Sequence, residues 1–482
     1  MSDSASTTTN NSTPPRVVIL GGGLAGLSVA REILRERPAD ITIIEKGARP
    51  GGMALSLEWQ GMKTDLGPHR IYSAIPEMRE WFRDFLGEQL FYVRRSSRMY
   101  VQGRYIQYPP SPMQLLSAFG PIQLGRFGMS YLAARFGSKA EDSFADIMRR
   151  AFGNAMCEAL VFPYIRKTWK REPEQISASV ARARATMGGV GKMLKRMLFS
   201  QEKEGEETTL KRFGYVRGGI ERLVEPLARE IESKGGRILC HAEVTSLDLQ
   251  DGRIGRIEYR SKDGEAAIDR PDFVFSTIPI NELVARSKGM SDACRNAAKG
   301  LRFLNTQLTF AKIARPSLGP DHWLYYPQAA PAIIRAYEPR NFDKSLAPED
   351  STMVCIERTA EPASSEWKAD DSEVADQCVR EMASTGILDM DEVRETALHR
   401  LEYAYPLYEI GYEKKMQAIT GTLAGIENLI TLGRQGLFQH NNMDHTIYTG
   451  LRAARCWMHA ADPVSHWYGE DISEFEQFRI VD

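Results

Sequence analysis

Three glycines and one acid form the first grouping in this sequence whose types and spacing could do chemistry. Gly21, Gly23 and Gly26 spell G-x-G-x-x-G, with Leu24 and Ala25 inside the motif, and Glu45-Lys46 follow about a helix and a strand later. Gly21 permits a tight turn, Gly23 lets a pyrophosphate approach the backbone, and Gly26 lets helix and strand pack closely. Glu45 would accept hydrogen bonds from an adenosine ribose. That chemistry needs elements to hold it, and the flanking sequence supplies them. Val17 to Leu20 is a short apolar run of the kind that forms a buried parallel strand. LSVAREILRE continues with helical periodicity, and Ile41 to Ile44 is a second apolar run ending at Glu45. A dinucleotide's phosphates would sit on the helix N-terminus.

Arg49-Pro50-Gly51-Gly52-Met53-Ala54 and Asp65-Leu66-Gly67-Pro68-His69-Arg70 come next. A nicotinamide fold would continue with another strand and crossover helix. This chain instead makes a Gly-Gly turn and a loop suited to lie along an extended cofactor. Near the end, a strand at Leu429 to Leu432 leads into Gly433, Arg434 and Gly436, then Asn442, Met443 and Asp444 before a helix over Thr446 to Arg455. The free amides of that helix point at whatever lies above the loop.

Composition excludes several classes. Sixty-two basic residues against 63 acidic ones leave a net charge of -1, which gives no sign of a nucleic-acid partner or of general attraction to anionic membranes. The six cysteines are scattered without C-x-x-C, and the eight histidines form no ligand pair, so no metal site is expected and the thiols read as those of a reduced, cytoplasmic protein. Met1 to Pro15 reads as a disordered leader, and no uninterrupted apolar stretch is long enough to span a membrane. Oligomeric state stays open.

Along the chain, residues 74–94 read as a helix with Met78, Trp81, Phe82 and Phe85 on its apolar face. Ser97 to Pro112 reads as two short strands around Gln102-Gly103, and 112–203 as largely helical. A helix over Ile220 to Lys234 precedes a strand at Arg237 to Leu239 and a hairpin around Asp251-Gly252, which sets Val244 against the adenine side. Asp272 to Thr277 is a further strand. The order implies an α/β chain: a two-part Rossmann-type domain with an inserted mixed, largely helical substrate domain. The segments are a leader (1–15), cofactor domain (16–111), helical insertion (112–205), cofactor domain (206–300), substrate domain (301–425) and cofactor domain (426–482).

The Gly-Gly segment after the acidic strand resembles the FAD-binding part of the amine oxidase, protoporphyrinogen oxidase and phytoene desaturase superfamily. SRMYVQGRYIQYP, HWLYYP, YAYP and GRQGLFQHNNMDH are similar to segments of UDP-galactopyranose mutases and of protoporphyrinogen-oxidase-like flavoenzymes, in order over about residues 16 to 460. The resemblance implies tightly held, non-covalent FAD, with Gly52, Met53, Ala54, Gly67, His69 and Arg70 along it. It also implies Gly433, Arg434, Asn442, Met443 and Asp444 at the flavin, where the helix N-terminus favours negative charge on the reduced ring. His69 could tune or gate the flavin; a loop histidine bonded to backbone is the plainer reading.

Carried over from the mutases, Arg335 and Arg184 would grip a substrate diphosphate and Tyr325 and Tyr405 would donate to it. Two positions depart from that pattern: His440 stands where a tyrosine is expected, and Pro68 precedes His69 where the mutases have Gly-Gly-His. Structural readings stay open: a solvated helix charge for Arg184, core aromatics for the tyrosines, and Glu338 as an ion partner for Arg335. The leading function is an FAD-dependent oxidoreductase taking a hydride from a C–N or CH–CH unit of a small-molecule substrate. The alternative is a redox-neutral sugar-nucleotide mutase using reduced FAD.

Overall fold

The computed structural model describes residues 13–136, 141–184, 212–475 and 478. Most of the expected leader, part of the helical insertion and the start of the 206–300 segment lie outside the described residues.

Strand β1 (Arg16–Leu20), helix α1 (Leu24–Glu36) and strand β2 (Asp40–Ile44) form the first unit. β1 lies at the centre of a five-stranded parallel sheet, flanked by β2 and Arg237–Leu239 on one side and by Phe273–Ser276 and Leu429–Thr431 on the other. Because side chains alternate along a strand, β1 serves two cores. Val17 and Ile19 join the core beneath α1, the Glu221–Ser233 helix and the Met443–His459 helix. Val18 and Leu20 join the opposite core, beneath the Glu243–Gln250 hairpin and the Tyr412–Leu423 helix.

A seven-stranded sheet forms the second layer. Its order runs Val393–Pro406, Phe303–Ile313, Thr352–Ala360, Arg335–Tyr337, Trp323–Tyr325, Ser97–Val101 and Arg104–Gln107. The hairpin expected around Gln102-Gly103 is thus present, and its first strand pairs with Trp323–Tyr325, more than two hundred residues away. Helices between Pro112 and Arg184 cover one flank.

One element differs from its sequence reading. Residues 74–94 are not one helix: the helix spans Pro76–Leu86, and Leu90–Arg94 is a strand paired antiparallel with Arg212–Val216. Met78, Phe82 and Leu86 carry the helix's buried face and Gly87 ends it. Beyond it, a distant strand partner overrides the local helical pattern.

Candidate functional site

The carboxyl ends of β1 and β2 open into a cleft of about 3230 Å³ that reaches the seven-stranded sheet and the helices of residues 144–169. Ligand clefts of open α/β sheets form at this edge. Gly21, Gly23, Leu24, Ala25, Glu45, Lys46, Gly52, Met53, Ala54 and Val244 line one end. Gly23 is the N-cap of α1, so the first-turn amides there lack helical partners. A Cβ added at Gly23 would meet nothing nearer than the Gly52 Cα, 4.0 Å away. Gly51 N–H donates to the Gly22 carbonyl at 2.8 Å, which holds the two glycine loops against each other so that both present bare backbone to the cleft. Gly26 does not line the cleft. A Cβ there would strike the Gly21 carbonyl oxygen, so its role is close helix–strand packing.

Glu45 is buried, and its carboxylate accepts from Gly22 N–H at 2.7 Å and Gly47 N–H at 2.6 Å. Those bonds fix its orientation and leave lone pairs for a hydroxyl donor, since a carboxylate offers about four acceptor sites. Lys46 is exposed beside it, 3.6 Å from Glu402. A gap without side chains over a helix N-terminus, next to a pre-oriented acid, fits the pyrophosphate and ribose of a dinucleotide.

The same cleft is lined by Gly67, His69, Arg70, Gly433, Arg434, Asn442 and Met443, with Gly433 close enough to Ala25 that a Cβ on it would come 2.8 Å from the Ala25 Cβ. His69 Nδ1 is sealed from water and has no hydrogen-bond partner. Burial, then the positive charge of Arg335, pushes the imidazole down to about 4, with Glu357 opposing and Arg434 adding to the shift. His69 is therefore neutral at ordinary pH. Arg434 ties the site together: it donates to the Ala404 carbonyl at 2.6 and 3.0 Å and to the Asn441 carbonyl at 2.7 Å, and stacks 5.2 Å from the Tyr405 ring.

The final helix begins earlier than its sequence pattern suggests, with Asn442 as N-cap and Met443 and Asp444 inside the first turn. Asp444 consequently turns inward. It is buried, does not line the cleft, and lies 3.7 Å from the His445 ring. Asp444 Oδ1 has no hydrogen-bond partner among the described residues.

Of the residues expected at substrate, Tyr325, Arg335, Tyr405 and His440 line the same cleft. Arg184 ends the Ala178–Arg184 helix, and its side chain lies outside the described residues. The ion partner of Arg335 is Glu357, not Glu338. Arg335 and Glu357 face each other across an antiparallel pair and form a two-pronged salt bridge. Burial works against the guanidinium's charge, but Glu357, with Tyr405 beside it, raises its pKa well above the usual range. Arg335 Nη2 also donates to Tyr405 Oη at 3.3 Å. Glu338 points elsewhere, accepting from Thr352 Oγ1 at 2.7 Å and Leu318 N–H at 3.1 Å. The sequence signal for Glu357 was a single acid inside the otherwise buried strand Thr352–Ala360.

The His440 ring packs edge-on to Tyr405 and Trp169, and Tyr325 packs 5.2 Å from Tyr108. Phe144, Ile147, Met148, Phe152, Val161 and Ile165 supply an apolar helical wall.

Away from the cleft, Cys456, His466 and Asp471 bring possible ligand atoms within 4.8 Å of one another. A cation there would have to displace Arg452 from Asp471 and ionise a thiol that burial, then Asp471, pushes up to about 12. All six cysteines are free. Among the described residues, no helix is long and apolar enough to cross a membrane.

The chain resembles known proteins at three levels. Residues 24–458 match the family model of flavin-containing amine oxidoreductases. Protoporphyrinogen oxidase 2, chloroplastic/mitochondrial, of Arabidopsis thaliana is 27% identical over 169 residues, covering 33% of each chain. Protoporphyrinogen oxidase 1, chloroplastic, of the same plant is 20% identical over 301 residues, covering 59% of this chain and 56% of that one. The matches therefore span between a third and little more than half of these relatives' own lengths. Among solved structures, reduced UDP-galactopyranose mutase superposes with a TM-score of 0.79 at 19% identity, over 96% of this chain and 98% of that one. A protein from Exiguobacterium sp. 255-15 described as a protoporphyrinogen oxidase gives 0.71 at 19% identity, over 92% and 98%. At such identities the structures speak for the fold. With the family model matching most of the chain, and a cleft that fits an extended dinucleotide, the chain belongs to the flavin-containing amine oxidoreductases and is an enzyme whose cofactor is FAD.

Proposed function

We propose that the protein oxidises a largely apolar substrate at a C–N or CH–CH unit. The observation that carries this reading is the closed Arg335–Glu357 pair beside an apolar helical wall. A diphosphate needs cationic donors free to fork onto its oxygens. Here the guanidinium expected to do so is already neutralised by a carboxylate on the neighbouring strand.

In this reading the bare backbone at Gly21, Gly23 and Gly52 would hold the FAD pyrophosphate, Glu45 the ribose and Val244 the adenine side. Gly67, His69, Arg70 and the loop from Gly433 to Met443 would meet the flavin. Bound FAD supplies the hydride acceptor. The chain's own residues orient and desolvate. The helical wall excludes water, Tyr325, Tyr405 and His440 shape the substrate space, and Arg434 fixes Tyr405. Neutral His69 adds an uncharged ring to the cleft wall.

The test is anaerobic mixing of the purified holoenzyme with amines and with CH–CH donors, a porphyrinogen among them because both plant relatives are named as protoporphyrinogen oxidases. Bleaching of the flavin absorbance by a donor is the expected outcome. Tight binding of a sugar nucleotide that depends on Arg335, with no donor causing bleaching, would replace this reading with the mutase.

A further inference from the structure

The exposed apolar residues of this protein are concentrated. On the described surface, most of the large hydrophobic side chains that stand clear of the protein lie between residues 113 and 136, on the Pro112–Arg135 helix and at its C-cap, Phe136. Ile122, Met129 and Phe136 recur every seventh residue, and Leu132 follows Met129 by three, which sets all four on one helical face. They are 82%, 67%, 91% and 61% exposed in that order, whereas Phe127 on the opposite side is buried. A monomeric surface rarely presents such a row without a use for it.

The Pro112–Arg135 helix itself carries Arg126 and Arg135 and neither Asp nor Glu, in a chain whose net charge is -1. Arg104, Arg126 and Arg135 are exposed on or against the helix. Arg104 Nη1 donates to the Ser117 carbonyl at 3.2 Å and Arg135 Nη2 to Tyr131 Oη at 2.6 Å, and no salt bridge among the described residues engages these three. Leu115, before the kink at Gly120, lines the cleft together with Tyr108, Pro109 and Pro110.

We propose that this helix face docks the enzyme on an anionic lipid surface, with the apolar row seated at the acyl boundary and the arginines on the lipid headgroups. An apolar face edged by basic residues is the pattern of an interfacial helix. A second copy of this chain suits the face less well. A two-fold contact would set Arg126 and Arg135 against their own copies, with no acid on the helix itself to pair them. The proposal does not depend on which donor the enzyme oxidises.

The experiment is co-sedimentation of the holoenzyme with vesicles of phosphatidylcholine alone and of phosphatidylcholine mixed with phosphatidylglycerol. The holoenzyme is expected to partition onto the anionic vesicles and to be released by raised salt. Ile122→Asp combined with Met129→Asp is expected to reduce that partitioning by roughly tenfold or more while flavin content and melting temperature hold. Arg126→Glu with Arg135→Glu is expected to weaken binding to anionic vesicles and leave the weaker binding to neutral ones. Failure of the holoenzyme to bind anionic vesicles, or binding untouched by both double variants, would overturn the proposal. A dimer in light scattering that the aspartate variant dissociates would assign the face to a second copy. A fall in that variant's melting temperature would assign it to packing within the chain, and either result also overturns the proposal.

Discussion

Arg335 and Glu357 stand opposite each other on adjacent strands, and each is tolerable in a buried place because of the other. Arg335→Ala leaves a carboxylate that is 5% exposed without its partner and is expected to destabilise the protein by about 2–5 kcal/mol, discounted at the lower end because the guanidinium is a quarter exposed. A double-mutant cycle with Glu357→Gln in urea unfolding should show that the two losses do not add. Additive losses would mean that the pair is not coupled. Gly23 behaves differently. Its missing Cβ faces open cleft, so Gly23→Val should fold with an unchanged unfolding midpoint yet purify with little flavin absorbance. A full complement of FAD in that variant would remove the phosphate site from this position. His69 adds a pH signature. Its imidazole sits near 4 in the fold against 6.5 when free, so the neutral ring contributes stability that is fully present above pH 6.5 and lost as the pH falls through about 4. His69→Gln should flatten that acid-side loss in urea midpoints measured across the range, and an unchanged slope would show that the histidine is not held neutral.

Two contacts between elements make expectations of their own. α1 crosses the Met443–His459 helix at Gly450, where a Cβ would lie 2.6 Å from the Ala25 carbonyl oxygen and 2.7 Å from Ser28 Cβ. Gly450→Val should push apart two helices whose first residues line the cleft, costing about 1–3 kcal/mol in a denaturant titration. Asp65 joins three other pieces. It accepts from Ser56 Oγ and Tyr215 Oη at 2.6 Å each and from Ile220 N–H at 3.0 Å, which fastens the Ser56–Asp65 hairpin, the Arg212–Val216 strand and the start of the Glu221–Ser233 helix. Burial outweighs these bonds and raises its pKa from 3.8 to about 6. A raised carboxyl contributes stability that is full below pH 3.8 and lost as the pH rises through about 6. Asp65→Asn should be less stable overall but lack that decline, which unfolding midpoints on either side of the window would reveal. At this scale the sequence was readable where periodicity is local: β1, α1, β2 and the Gln102-Gly103 hairpin stand as read. It misled where pairing is distant, as in Leu90–Arg94, whose strand partner begins at Arg212.

Over the whole molecule, the cofactor end of the cleft was legible because one contiguous motif builds it, with each glycine position dictated by backbone approach. The substrate end was only partly legible, because residues from strands hundreds of positions apart converge there. Tyr325, Arg335, Tyr405 and His440 do converge on the cleft, but the carboxylate that closes on Arg335 was sought at Glu338 rather than at Glu357. Asp444 was assigned to the site by adjacency in sequence, and helix geometry turns it away. That same ion pair separates the two chemistries this fold could house. The most direct measurement is the flavin spectrum of the anaerobic holoenzyme during titration with C–N and CH–CH donors, set beside a titration with a sugar nucleotide. Loss of the oxidised flavin band with one of the donors, and no Arg335-dependent binding of the sugar nucleotide, is the expected result. A flavin that stays oxidised with every donor while the sugar nucleotide binds tightly through Arg335 would contradict it.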